Sequence, residues 1–125
     1  MTRKPLILIV EDDPSSLMLA TAALAADGFE VAGSESAEVA RDAIAKRKPA
    51  LILMDIGLPG MDGLDFTKEL KSRARTASIP IVALTANNMP LHERAARAAG
   101  CEGFIAKPVS PAALTAEVRH FLSRA

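Results

Sequence analysis

The chain alternates between short apolar runs and longer segments in which apolar residues recur every three or four positions. An uninterrupted apolar run indicates a strand buried on both faces, whereas strict alternation indicates a strand with one exposed face. Gly, Pro or charged residues bound each run and limit its length. The pattern predicts four apolar strands, at residues 6–10, 51–54, 81–84 and 104–106, and an edge strand at residues 29–32.

The segments that follow these strands have the spacing of amphipathic helices. Residues that can cap a helix N-terminus precede all but the segment at about residues 89–99, and they are Asp13, Ser36, Asp62 and Ser110. The residues predicted to face the core are Leu17, Ala20 and Leu24; Val39, Ala40, Ala43 and Ile44; Gly63, Phe66 and Leu70; and Leu114, Val118, Phe121 and Leu122. On the third helix, Thr67, Lys68 and Lys71 are predicted to face solvent.

Strand and helix patterns therefore alternate five times along the chain. Such alternation favours an α/β fold with a mostly parallel, doubly wound sheet and helices on both of its faces. A chain of 125 residues, half of them apolar, is long enough to bury one core of ordinary size. Because no linker, repeat or low-complexity segment interrupts the pattern, we expect one domain over residues 1–125 and no second, output domain.

Composition narrows the possible partners and compartment. Fifteen Lys and Arg residues balance fifteen Asp and Glu residues, so net charge gives no reason to expect nucleic acid or anionic membrane as a partner. The one cysteine, Cys101, excludes an internal disulfide and a cysteine-rich metal site, and we interpret it as a small apolar residue. No apolar run approaches the roughly 20 residues that cross a bilayer. We therefore expect a cytoplasmic protein.

Four of the five predicted strands are followed by side chains that can do chemistry. Glu11 and Asp12 follow the first strand, Asp55 the third, Thr85 the fourth and Lys107 the fifth. In an open parallel sheet these strand ends meet at one edge. Carboxylates crowded together require a cation, and oxygen ligands of this kind suit Mg²⁺. With a lysine and a hydroxyl added, the set describes a site for a phosphoryl group, in which one carboxylate is the nucleophile.

The motifs at these strand ends resemble the receiver domain of two-component response regulators. They occur in the family's order and cover essentially the whole chain, so together they are far more specific than any one alone. The matching segments are Val10-Glu11-Asp12-Asp13-Pro14, Met54-Asp55-Ile56-Gly57-Leu58-Pro59-Gly60-Met61-Asp62-Gly63, Ala83-Leu84-Thr85-Ala86 and Ala106-Lys107-Pro108. The motif Cys101-Glu102-Gly103-Phe104 is most similar to stand-alone, DivK-like receivers. The resemblance implies a flavodoxin-like (βα)5 fold with strand order 2-1-3-4-5.

The resemblance also implies roles for individual residues. Asp55 would be the phosphoacceptor, taking its phosphoryl group from a phosphohistidine on a sensor histidine kinase or a histidine phosphotransfer protein. Asp12, Asp55 and the backbone carbonyl of Gly57 would bind Mg²⁺, and Glu11 would act mainly through a metal-bound water. Lys107 would pair with the phosphoryl oxygens.

Thr85 and Phe104 match the family's two switch positions. Phosphorylation would recruit the Thr85 hydroxyl, turn the Phe104 ring inward and change the face formed by the fourth helix, fifth strand and fifth helix, approximately residues 88–122. That face would regulate a separate effector protein. The resemblance implies a monomer or weak dimer that is not an enzyme beyond its own phosphoryl acceptance and dephosphorylation.

Two features differ from the commonest family pattern, and other functions stay open. Phe104 replaces a frequent Tyr, while Gly57 and Asn87 occupy positions that tune dephosphorylation, so the lifetime of the phosphorylated state does not follow. A Mg²⁺-dependent phosphatase with an aspartyl intermediate is one alternative, disfavoured because Gly57 stands where a second acid would be needed. A flavodoxin-like flavin site is disfavoured because acids follow the first strand. A receiver that signals without phosphate is a third.

Overall fold

The computed structural model describes residues 4–56, 62–85, 90–107 and 110–124, with residues 90–92 and 124 by their backbone only. Within these residues, β-strands and α-helices alternate strictly along the chain. The elements are β1 (Leu6–Val10), α1 (Pro14–Ala26), β2 (Glu30–Ser34), α2 (Ala37–Lys46), β3 (Leu51–Asp55), α3 (Gly63–Lys71), β4 (Ile81–Thr85), α4 (Pro90–Ala99), β5 (Gly103–Ala106) and α5 (Pro111–Arg124).

The five described strands form one parallel sheet in the order β2-β1-β3-β4-β5. This confirms the doubly wound fold that the sequence pattern predicts and the strand order that the resemblance to receiver domains implies. β3 lies in the middle, with Val10 of β1 opposite Met54 on one side and Leu84 of β4 opposite Asp55 on the other. Because all the strands run the same way, the polar residues that follow them lie at one edge of the sheet.

Alternate residues of each strand face two separate apolar layers, as the period of a strand requires. One layer packs α2, α3 and α4 on the sheet, and the other packs α1 and α5 on its opposite face. The strand residues of the first layer are Leu8, Val10, Ile52, Met54, Ile81 and Ala83, and those of the second are Ile7, Ile9, Leu51, Leu53, Val82, Leu84 and Ile105. Burial on both faces explains why the central strands are uninterrupted apolar runs.

The edge strand β2 extends beyond its predicted end at residue 32 and reaches Ser34. Gly33 and Ser34 have low intrinsic strand propensity, but they pair with Ile9 and Val10 of β1. A Cβ at Gly33 would lie 3.0 Å from Leu17 Cδ1 of α1, so the glycine also leaves room for helix packing. Tertiary pairing therefore outweighs local propensity at this end of the strand.

Two predicted helix faces are wrong in detail. Thr67 is fully buried rather than exposed, and its hydroxyl donates to the Gly63 carbonyl at 2.7 Å. Its neighbour there is the Cys101 thiol, 3.9 Å away, because α3 packs beside the end of α4 as well as on the sheet. On α2 the buried stripe includes Ala37, whereas Val39 lies off the stripe and is 48% exposed.

Lys71 was also predicted to face solvent, and it instead closes the end of α3. Its ammonium donates to the carbonyls of Ala77 at 3.1 Å and Ile79 at 2.7 Å, and to the carboxylate of Glu102 at 2.6 Å. The other carboxylate oxygen of Glu102 accepts from the Ile81 backbone N–H at 2.9 Å. One lysine thus links the turn after α3 to the starts of β4 and β5.

Ser34 provides a test of polar burial in this core. Its side chain is buried, and among the described residues its hydroxyl has no hydrogen-bond partner. An unpaired buried hydroxyl destabilises a fold, so we expect Ser34→Ala to raise the free energy of unfolding by about 1 kcal/mol in urea titrations. Ser36→Ala is the matched control, because Ser36 Oγ caps α2 by accepting from Val39 N at 3.1 Å, and it should lower stability by about 1 kcal/mol. A loss of stability in Ser34→Ala would contradict the prediction.

Candidate functional site

Three carboxylates meet at the carboxyl edge of the sheet. Glu11 and Asp12 follow β1 and Asp55 ends β3, and one carboxylate oxygen from each lies within 4.8 Å of the others. Glu11 is 2% exposed and Asp55 8% exposed, whereas Asp12 faces solvent. The structure therefore brings together the three acids that the sequence predicts, with Asp55 held by the central strand of the sheet.

Lys107 provides a cation within this cluster. Its ammonium forms an ion pair with Glu11 and lies 3.5 Å from Asp55 Oδ2. The position of the lysine depends on the end of β5, because its backbone N–H donates to the Thr85 carbonyl at 2.7 Å. The predicted lysine and the predicted phosphoacceptor are thus in direct contact.

The charges in this cluster shift one another's pKa values. Burial, together with a hydrogen bond to Asp55, raises the pKa of Glu11 to about 7, although the contact with Lys107 acts in the opposite direction. Burial alone would lower the pKa of Lys107, but its hydrogen bond to Glu11 and the charge of Asp55 outweigh burial and raise the pKa above its usual value. Within the described part of the cluster, three carboxylates face one ammonium group. Such an oxygen-only, acid-rich donor set fits a hard divalent cation such as Mg²⁺.

Thr85 and Phe104 lie on the same face of the sheet, next to this cluster. Thr85 is buried at the end of β4 opposite Ala106, and Phe104 lies two pairs further from the edge, opposite Ala83. The Phe104 side chain is half-buried against the apolar layer under α2, α3 and α4. The aromatic residue and the strand-end hydroxyl are thus on neighbouring strands and the same face, and the switch roles of both residues stay a prediction.

Several predicted positions lie outside the described residues. Gly57, whose carbonyl is a predicted metal ligand, is one of them, and Asn87 is another. The buried Cys101 agrees with its interpretation as a small apolar residue, because burial raises the pKa of its thiol to about 11 and keeps it protonated at neutral pH.

One feature of the site escaped the sequence reasoning: an apolar groove between α1 and α5. A cavity of about 430 Å³ runs from Glu11 and Lys107 along the two helices. The apolar residues that line it are Ile9, Leu19, Ala20, Ala23, Leu84, Pro111 and Leu114. The outer side of α1 is apolar as well, since Met18 is 71% exposed and Leu19 is 68% exposed. The signal in the sequence was the absence of any charged residue from the whole of α1, Pro14–Ala26.

Comparison with known proteins decides what this arrangement represents. The family model described as the response regulator receiver domain matches residues 7–119. The chain belongs to that family. This receiver domain is 36% identical to the polar-differentiation response regulator DivK of Brucella ovis, over 95% of this chain and 97% of that protein.

Solved structures agree with that assignment. A putative response regulator from Chloroflexus aurantiacus matches the receiver domain with a TM-score of 0.94 and 32% identity, covering 98% of this chain and 100% of that one. The receiver domain of sensor histidine kinase PA1611 from Pseudomonas aeruginosa PAO1 matches with a TM-score of 0.84 and 30% identity, covering 98% and 97%. That structure has a magnesium ion coordinated in its active-site cleft.

The helices of the receiver domain were also compared with the requirements of a membrane span. None of those in the described residues combines the length and the apolar character that crossing a bilayer requires.

Proposed function

We propose that this receiver domain accepts a phosphoryl group on Asp55 from a phosphohistidine and so switches its interaction with another protein. The observation that carries the proposal is the position of the Asp55 carboxylate, 3.5 Å from the Lys107 ammonium and beside the carboxylates of Glu11 and Asp12. Phosphoryl transfer depends mainly on positioning and on neutralising the oxygens of the transferred group. Both requirements point to Asp55 as the nucleophile.

The transfer step uses groups that the cluster holds. An Asp55 oxygen forms a bond to phosphorus, the phosphorus–nitrogen bond of phosphohistidine breaks, and its electron pair stays on the imidazole. Lys107, which lies beside Asp55, neutralises charge on the phosphoryl oxygens. Glu11, Asp12 and Asp55 would hold Mg²⁺, with the predicted Gly57 carbonyl as a further ligand, and the magnesium-bound PA1611 receiver domain supports that assignment. Mg²⁺ would supply additional positive charge to the phosphoryl oxygens.

We propose that the phosphodonor docks on α1 and on the groove between α1 and α5. α1 carries no charged residue, and the groove is mostly apolar and ends at Glu11 and Lys107 of the phosphorylation site. Its acidic end, formed by Glu11, Asp12 and Asp55, complements basic groups that flank a donor histidine. A histidine kinase or phosphotransfer protein with an apolar surface next to its histidine fits both properties.

Leu19→Asp tests this docking surface. The phosphodonor is chosen by testing the purified, autophosphorylated histidine kinases of the same genome and taking the one that transfers fastest. We expect Leu19→Asp to slow transfer from this donor by at least about 10-fold, because a charge placed in a desolvated interface costs more than 1.4 kcal/mol. Labelling by acetyl phosphate should stay unchanged. Val39→Asp on α2, also an exposed apolar residue, is the matched control and should leave both rates unchanged. Equal transfer rates for Leu19→Asp and Val39→Asp would contradict docking on α1.

We assign the output face, which is the surface that changes on phosphorylation and contacts the effector, to α4, β5 and α5. β5 is an edge strand of the described sheet, it ends beside Lys107, and Phe104 lies within it, so a change at the phosphorylation site reaches this face through one strand. Phosphorylation adds charge and acceptor oxygens that recruit Thr85 and Lys107, which shifts an equilibrium between two conformations. A separate effector protein would recognise the shifted face.

Incubation with Mg²⁺ and acetyl phosphate tests the proposed function. We expect the intact mass of the wild-type protein to rise by one phosphoryl group, and beryllofluoride to shift amide resonances along β5 and α5. Turnover of small phosphomonoesters without a stable adduct would instead favour the phosphatase alternative, and the absence of any adduct would contradict phosphoryl acceptance.

A further inference from the structure

The first residue of α3 lies directly against the backbone of Asp55. A Cβ placed on Gly63 would lie 2.2 Å from the Asp55 carbonyl oxygen, 2.8 Å from Ile56 Cα and 2.9 Å from the Asp55 carbonyl carbon. No side chain fits at such distances. The backbone of Gly63 does not have positive φ, unlike that of Gly28 and Gly100, so close approach rather than conformation requires glycine here.

The first turn of α3 is itself held rigidly. The Thr67 hydroxyl donates to the Gly63 carbonyl at 2.7 Å from a fully buried position. Asp62 caps the helix by accepting from Asp65 N at 2.8 Å, and Phe66 anchors the same turn in the core. The turn therefore has little freedom to move away from Asp55.

We infer that Gly63 and Thr67 are positioning residues that fix the main chain of Asp55, and through it the direction of the Asp55 carboxylate. The inference rests on the proposed function, because it assigns these residues to the same phosphorylation site. Within the described strands, the pairing of β3 with β1 ends at Met54, whereas Asp55 still pairs with Leu84 of β4. The end of β3 is thus held on one side by β4 and against α3 by Gly63.

Gly63→Ala should displace this strand end. The added Cβ must push Asp55 and Ile56 away from α3, and a shift of about 1 Å at a reacting group costs up to about 100-fold in rate. We expect at least about 10-fold slower labelling by acetyl phosphate. We also expect at least about 10-fold weaker binding of Mg²⁺ alone, measured by NMR titration without any phosphodonor.

Gly103→Ala separates positioning from general destabilisation. A Cβ at Gly103 would lie 2.2 Å from Phe121 Cζ, which is an equally short contact, but it lies at the amino end of β5, away from Asp55. This variant should lose stability and keep wild-type Mg²⁺ affinity and labelling. If Gly63→Ala kept both as well, the inference would be overturned.

If Gly63→Ala does not fold, two variants of Thr67 test the same inference. Thr67→Val removes the hydroxyl that holds the Gly63 carbonyl and should weaken Mg²⁺ binding by about 3-fold to 10-fold, whereas Thr67→Ser keeps the hydroxyl and should restore the affinity. Equal Mg²⁺ affinity in the Val and Ser variants would overturn the inference. A wild-type protein that binds Mg²⁺ but is never labelled would instead contradict the proposed function, so the two failures are distinguishable.

Discussion

Changing Asp55 to Asn should abolish labelling of the receiver domain by acetyl phosphate and leave its secondary structure intact. The amide has the shape of the carboxylate, but it is not a nucleophile and cannot form an acyl phosphate. The substitution also removes one of three clustered negative charges, which should lower the pKa of Glu11 from about 7 and raise the free energy of unfolding by about 1 kcal/mol. Intact mass after incubation with Mg²⁺ and acetyl phosphate measures the first effect, and urea titration the second.

Asp13→Asn is the matched control for this substitution. Asp13 follows the same strand as Glu11 and Asp12, but its carboxylate caps α1 by accepting from Ser16 N at 2.9 Å, and Asn is also a good cap. This variant should therefore be labelled like the wild type. The same adduct in Asp55→Asn as in the wild type would show that another residue accepts the phosphoryl group.

The fold and the main acids could be predicted because they depend on local patterns. A strand buried on both faces must be apolar throughout, so β1, β3 and β4 stand out in the sequence and their ends locate Glu11, Asp55 and Thr85. Parallel strands then bring those ends together without any further information. The contact between Lys107 and Asp55, 52 positions apart, follows from that topology.

The contacts that could not be predicted depend on how neighbouring elements pack. Thr67 looks like a solvent-facing residue from its spacing alone, and its burial becomes clear only when α3 is placed beside Cys101. Gly63 is predicted to face inward, but its contact with the Asp55 carbonyl depends on where the first turn of α3 lies relative to the end of β3. No periodicity in the sequence encodes the position of one element relative to another.

The groove beside α1 could not be predicted from the sequence for a different reason. The absence of charge from Pro14–Ala26 is visible in the sequence, but an apolar helix is usually a buried one. Only the structure shows that Met18 and Leu19 are exposed and that a cavity next to them reaches the acidic cluster. Because these apolar residues are exposed, the surface of α1 is a candidate interface.

Lys107→Ala should leave the protein folded, but it should lower the stability of the fold and the coupling between Asp55 and α5. Without the ammonium, the buried carboxylates of Glu11 and Asp55 lose a cation in contact with both, which should lower the free energy of unfolding by about 3 kcal/mol at pH 7 without Mg²⁺. The sign follows from the raised pKa of Lys107: the folded state favours the charged ammonium, so the lysine stabilises the fold below its unfolded value of 10.5, as long as the carboxylates of Glu11 and Asp55 are ionised. Urea titration at pH 7 measures the loss, and Lys68→Ala on the exposed side of α3 is the control.

The second consequence of Lys107→Ala concerns communication rather than stability. In the wild type, beryllofluoride bound at Asp55 should attract the ammonium, and because the Lys107 backbone N–H is bonded to the Thr85 carbonyl, the ends of β4 and β5 should move together. In Lys107→Ala the amide shifts caused by beryllofluoride should remain near Asp55 and vanish along α5. If α5 resonances shifted equally in both proteins, the signal would have to reach the proposed output face by a path that does not include Lys107, and Thr85 would be the next residue to change.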